Sequence, residues 1–132
     1  MSRFKLINPS TLPPPKGFNH AVVTPPGPLV FVAGQIGCDV NGAMVSSDLV
    51  GQFELALRHV VEAVTEAGGT PESIARITIY VTDMVEYRAR LKGLGQAWQR
   101  VMGKHFPAMA LVEVQSLFVP NCKVEMEATA VL

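Results

Sequence analysis

Residues 46–82 read SSDLVGQFELALRHVVEAVTEAGGTPESIARITIYVT, and this stretch decides the class of fold. Leu49, Phe53, Leu57, Val60, Val64 and Ala67 recur at steps of three and four, while Glu54, Arg58, Glu62 and Glu66 fall on the opposite side. That is the period of an α-helix with one apolar stripe. Ser46, Ser47 and Asp48 offer side-chain oxygens to cap its free amides. Gly68-Gly69 ends it, since glycine enters the left-handed turn common at helix C-termini. After the turn at Thr70-Pro71-Glu72-Ser73 the period falls to two. Ile77, Ile79 and Val81 alternate with Arg76, Thr78, Tyr80 and Thr82, which predicts a half-buried strand over 75–82. A helix followed directly by a one-sided strand places both apolar faces in one core.

Upstream, NPSTLPPPKG at 8–17 holds four prolines and reads as an extended lead-in, because proline lacks the amide donor. His20–Thr24 and Leu29–Ala33, separated by PPGP, predict two adjacent antiparallel strands. Asn41-Gly42 marks a turn. Downstream, residues 84–102 predict a second helix with Tyr87, Leu91, Leu94, Trp98 and Val101/Met102 as its buried stripe. Gly93 and Gly95 weaken it by ~1 kcal/mol each relative to alanine. Residues 108–114 and 123–131 complete the pattern as two strands. The order is β-β-α-β-α-β-β: one α+β domain over residues 1–132, a single sheet with two helices on one face. In the last strand Val124, Met126, Ala128 and Ala130 would face the helices, leaving Glu125, Glu127 and Thr129 on a second face. That face needs cover, and oligomerisation is the simplest source of it.

Hydrophobic residues make up 48% of the chain and charged ones 17%, so a folded core is expected rather than disorder. Eleven basic residues balance eleven acidic ones, and the basic residues are scattered. No broad field draws in a phosphate backbone, which disfavours nucleic acid as a partner. No apolar run approaches the ~18 residues of a membrane span. Two isolated cysteines, Cys38 and Cys122, with no apolar leader, read as a reduced, cytoplasmic chain whose thiols are small buried hydrophobes. Nucleophile-elbow, zinc-helix, phosphate-loop and dinucleotide signatures have no match. The three histidines, at 20, 59 and 105, lack metal-ligand spacing.

Five stretches carry a resemblance: Gly17-Phe-Asn-His-Ala-Val22, Val30-Phe-Val-Ala-Gly-Gln-Ile36, Thr78-Ile-Tyr-Val-Thr-Asp-Met84, Phe106-Pro-Ala-Met-Ala-Leu-Val-Glu-Val114 and Val124-Glu-Met-Glu-Ala128. In order and spacing they resemble the reactive intermediate deaminase (Rid, or YjgF-type) family over about residues 5–132. The resemblance implies a chorismate-mutase-like fold and a homotrimer whose sheets line a central barrel, with small-metabolite clefts between subunits. It also implies hydrolysis of enamines or imines without metal or organic cofactor. Such chemistry needs a guanidinium to clamp a carboxylate and an acid/base group to position water.

Carried over residue by residue, the family's arginine position is Met109 and its first-strand tyrosine is Phe18. The last-strand acid stands as Glu125, and Gly34 and Gln35 keep the second-strand motif. A thioether donates no hydrogen bond. The expected reaction is therefore hydrolysis of an imine, enamine or related C–N substrate other than ordinary 2-iminoacids. Glu125 would position the water, His20 relay a proton, and Phe18 and Met109 form an apolar wall. With Glu125 retained, the pocket is expected to be more negative and to suit a neutral or cationic ligand. Glu113 and Glu127 are expected in intersubunit contacts. The alternative is a non-catalytic ligand-binding or protein-interaction trimer.

Overall fold

The computed structural model describes residues 3–132, so the first two residues of the expected 1–132 domain lie outside the described residues. Helix α1 (Leu49–Glu66) starts where the sequence asks it to: the Asp48 carboxylate accepts from the amides of Val50 and Gly51. Arg90 grips the same carboxylate at 2.8 Å and holds it below its ordinary pKa. Gly68, at φ +102°, turns the chain away. The predicted stripe is buried from Leu49 to Val64, while Ala67 lies beyond the helix and is exposed.

One buried position on that stripe is polar. Gln52 is fully enclosed, donating to the carbonyls of Ser46 (2.9 Å) and Asn121 (3.0 Å) and accepting from the Lys123 amide (2.7 Å). It fastens α1 to the turn that precedes the last strand.

The chain forms β1 (Lys5–Ile7), β2 (Ala21–Val23), β3 (Leu29–Gln35), α1, a 3-10 turn (Pro71–Ser73), β4 (Ile74–Val81), α2 (Met84–Ala89), α3 (Leu91–Met102), β5 (Ala108–Glu113) and β6 (Val124–Val131). The main sheet has the order β3-β6-β4-β5, with β4 and β5 parallel and the other pairs antiparallel. Ile77, Ile79 and Val81 of β4, with Val124, Met126, Ala128 and Ala130 of β6, join the stripes of α1 and α3 in one core. The helices thus cover one face, as the alternation predicts.

Two local expectations are corrected. β2 does not pair with β3; it pairs with the unforeseen β1 in a separate two-stranded sheet. Pro25, Pro26 and Pro28 between β2 and β3 withhold the amides a tight hairpin would use. β3 instead pairs with β6 from Leu29 to Gln35, a longer ladder than a three-residue strand could offer. The second helix is not continuous either. It breaks at Arg90 (φ −117°, ψ 20°), where the guanidinium reaches back to cap-residue Asp48. The break lifts Leu91 out of the buried stripe, leaving it 58% exposed. Gly93 lies close to α1: a Cβ there would stand 3.2 Å from the Val50 side chain, which would have to yield by a few tenths of an ångström.

The other sheet face is bare in the single chain. Phe31 is 75% exposed there, on the face that carries Arg76, Thr78 and Tyr80. The Tyr80 hydroxyl donates to Glu127, which raises the tyrosine pKa. No helix among the described residues is long and apolar enough to cross a membrane.

Candidate functional site

β5 lies in parallel register with β4, Ile77 beside Met109 and Ile79 beside Leu111. Because those isoleucines face the helices, Met109 and Leu111 do too. β5 is the edge of the sheet, and the helical layer does not close over it. A cavity of about 640 Å³ opens there between β5, the α2–α3 break and residues 16–18. Buried Phe53, Ile79, Leu94 and Trp98 form its inner wall. Met109 and Leu111 line the β5 side, and Phe18, Leu91 and Phe106 complete the apolar rim. The Trp98 and Phe106 rings stack at 6.0 Å between centroids and 6° between planes.

Polar groups are few. Tyr87 lines the cavity, and its hydroxyl has no hydrogen-bond partner among the described residues. Burial pushes its pKa up to about 12, so it stays a protonated donor. Lys16 and Lys104 are the charged lining residues, both exposed at the mouth. Among the described residues no carboxylate of the same chain lines this cavity, and the Glu125 charge expected at the site stands on the other face of the sheet.

The sequence-derived site residues fall into two groups. Phe18 and Met109 meet in the cavity. His20 packs its ring edge against Phe18 at 5.2 Å and places Nε2 2.7 Å from the Pro13 carbonyl. Glu125 stands on the opposite, bare face of the sheet, in register with Tyr80. Its carboxylate lies across Gly34, where a Cβ would come within 2.0 Å of Oε2. Gln35 follows on the same strand and donates to the Ala33 carbonyl at 3.2 Å. Glu113 accepts from the Met84 amide at 2.8 Å, so within the chain it braces the start of α2. Cys122 is buried and its thiol pKa is raised by desolvation, while Cys38 is half-buried. Among the described residues no group of three or more His, Cys, Asp and Glu side chains forms a metal-ligand set.

Sequence reasoning missed Leu111, although alternation along β5 places it on the same face as Met109. It also missed Tyr87 and Leu91 as cavity residues, because both read as core stripe of an unbroken helix.

The family model described as "Endoribonuclease L-PSP" matches residues 9–132. The chain belongs to this family, the Rid or YjgF type. It is 30% identical over 105 residues to a "RutC family protein" of Haemophilus influenzae, covering 80% of each. The "Putative reactive intermediate deaminase TdcF" of Escherichia coli is 27% identical over 108 residues, again covering 80% of each chain. The crystal structure of that TdcF with bound serine superposes at a TM-score of 0.69 with 26% identity, over 97% of this chain and 98% of the other. YyfB of Yersinia pestis, described as a protein of unknown function in the conserved Rid family, superposes at 0.87 with 34% identity, over 98% and 99%. The Rid-type, chorismate-mutase-like fold expected from the sequence is thus present.

Gly95 of this Rid chain offers a direct probe of the cavity. It lines the space on α3, and a Cβ there meets nothing within 4 Å. Gly95→Ala is expected to stabilise the fold by about 1 kcal/mol through helix propensity, measured by urea unfolding. Gly95→Leu keeps that gain but projects into the cavity, so ligand binding falls while the unfolding midpoint rises.

Proposed function

We propose that this Rid chain assembles as a homotrimer whose apolar cavities bind a small metabolite. We propose further that it hydrolyses a C–N bond in an imine or enamine that is not an ordinary 2-iminoacid. The observation that carries this reading is the division of the site: Phe18 and Met109 line a ligand-sized cavity, while Glu125 stands on the uncovered sheet face. One chain cannot bring these together, because a β-sheet separates them. A neighbouring copy whose cavity edge packs against the bare face buries Phe31 and receives this chain's Glu125 at its own cavity mouth. Rings built from such head-to-tail contacts close with cyclic symmetry.

In this scheme water adds to the C=N carbon as Glu125 takes its proton. The proton passes to nitrogen and gives the carbinolamine; Glu125 then carries the hydroxyl proton to the same nitrogen as the C–N bond breaks, so that a carbonyl compound and ammonia leave. The scheme needs no metal or organic cofactor. Tyr87 donates to the ligand within the cavity. A relay through His20 requires its Nε2 to leave the Pro13 carbonyl.

Met109 sets which substrates are excluded, and an imine assay tests this. Imines generated in situ from small aliphatic amino acids by an amino-acid oxidase are expected to be hydrolysed poorly. Met109→Arg restores a charge-assisted clamp of ~1.5–3 kcal/mol and improves use of these imines by roughly ten- to a hundredfold. Equal rates for the two proteins would overturn the role given to Met109.

A second reading, a non-catalytic binding trimer, draws on the lack of any carboxylate or imidazole in the cavity wall. It predicts thermal stabilisation by a ligand without turnover of any imine, and indifference to Glu125→Gln. The nuclease activity in the family description is not adopted, since eleven basic residues are offset by eleven acidic ones and no histidine lines the cavity.

A further inference from the structure

We infer that the cavity selects a bulky apolar body joined to a carboxylate, with the body inside and the charge at the mouth beside Lys16 and Lys104. This rests on the cavity being the ligand site, as proposed above, and adds the chemical class of what enters it. A volume of about 640 Å³ is far more than a three-carbon iminoacid fills. Its inner wall, from Phe53 and Ile79 to Leu94 and Trp98, provides no side-chain donor or acceptor aimed at a charged group. The one indole N–H is already given to the His105 carbonyl. A carboxylate drawn to that depth would lose its water without gaining a partner. An aromatic or branched hydrocarbon loses nothing there, and the stacked Trp98 and Phe106 rings present a flat apolar surface.

The mouth has the opposite character. Lys16 comes from the segment before β2, and Lys104 from the turn after α3. The two cations line one opening from separate elements, and among the described residues no Asp or Glu of the same chain lines it. Even with a neighbour's Glu125 brought to the mouth, two cations against one carboxylate leave a net positive charge, so a carboxylate is favoured over an ammonium. Tyr87 lines the same cavity, and its hydroxyl, protonated and without a hydrogen-bond partner among the described residues, suits a neutral acceptor such as an imine nitrogen or carbonyl oxygen.

Titration calorimetry on the full-length assembled protein tests this with four probes: 3-phenylpropionate, its amide, 3-phenylpropylamine and propionate. 3-Phenylpropionate is expected to bind most tightly. Propionate, which lacks the ring, is expected to bind at least about tenfold more weakly. The amide falls by about threefold, the size of an exposed charge contact, and the amine falls further. The preference for carboxylate over amide fades at high salt. It also disappears in the Lys16→Ala/Lys104→Ala variant, whose affinity for the amide is unchanged. Because both lysines are exposed, the variant keeps its fold, checked by its unfolding midpoint. An amine that binds as well as the carboxylate, or a propionate that matches 3-phenylpropionate, overturns the ligand class and leaves the cavity reading standing. Absence of saturable binding by all four probes, or binding indifferent to Gly95→Leu, overturns both.

Discussion

Glu125→Gln is expected to lose turnover by roughly two to four orders of magnitude while ligand affinity stays within a few-fold of wild type, because the amide keeps the shape of the acid but cannot take a proton. Steady-state kinetics on the best imine substrate, beside calorimetry on a non-reacting analogue, separate the two effects. Equal losses in both would assign Glu125 to binding. Gly34→Ala is expected to copy part of this phenotype, since its methyl displaces the Glu125 carboxylate that lies across the glycine. The displaced atoms are the flexible end of a side chain, so stability changes little.

Mixing then decides whether the site is shared between copies. Glu125→Gln retains an intact cavity, and Gly95→Leu retains an intact acid. If each site joins one chain's cavity to the next chain's Glu125, unfolding and refolding the two variants together at equal amounts restores activity. About a quarter of the interfaces in randomly assembled rings then carry both intact halves. Sites contained in one chain would recover nothing.

The second large effect is on stability. Gln52→Ala is expected to destabilise the protein by ~3–5 kcal/mol, read from urea unfolding. A group left without a hydrogen bond costs ~1–3 kcal/mol where water cannot reach it, and the enclosed Gln52 side chain serves three groups on half-buried or exposed residues: the carbonyls of Ser46 and Asn121 and the amide of Lys123. Gln52→Leu fills the space and yet leaves the same three groups unpaired, so it is expected to recover only part of the loss. A cost below 1 kcal/mol for both variants would show that water replaces the side chain without penalty.

Much of the fold was legible in the residues. The run from Ser46 to Val81 announced a capped helix, a glycine stop and a one-sided strand, because each depends on neighbours only a few positions away. The alternation along β6 correctly separated Met126 from Glu125, since a strand's period of two leaves no other choice. What failed was long-range. β3 and β6 are paired across a hundred residues, and nothing near Leu29 names that partner. Arg90, at the helix break, pairs with Asp48, forty-two residues earlier.

The candidate site shows the same boundary. The sequence by itself determined the family and the helix and strand faces, which follow from motif order, residue type and local period, and it raised the expectation that Met109 stands where relatives carry a charged clamp. Only the tertiary structure decided that Met109 and Phe18 share a cavity with lysines at its mouth. It alone placed Glu125 across the sheet from them and enclosed Gln52 rather than leaving it wet. Side chains far apart in sequence acquire a common environment only when strands pair and helices dock, so their charge, burial and company are properties of the packed fold.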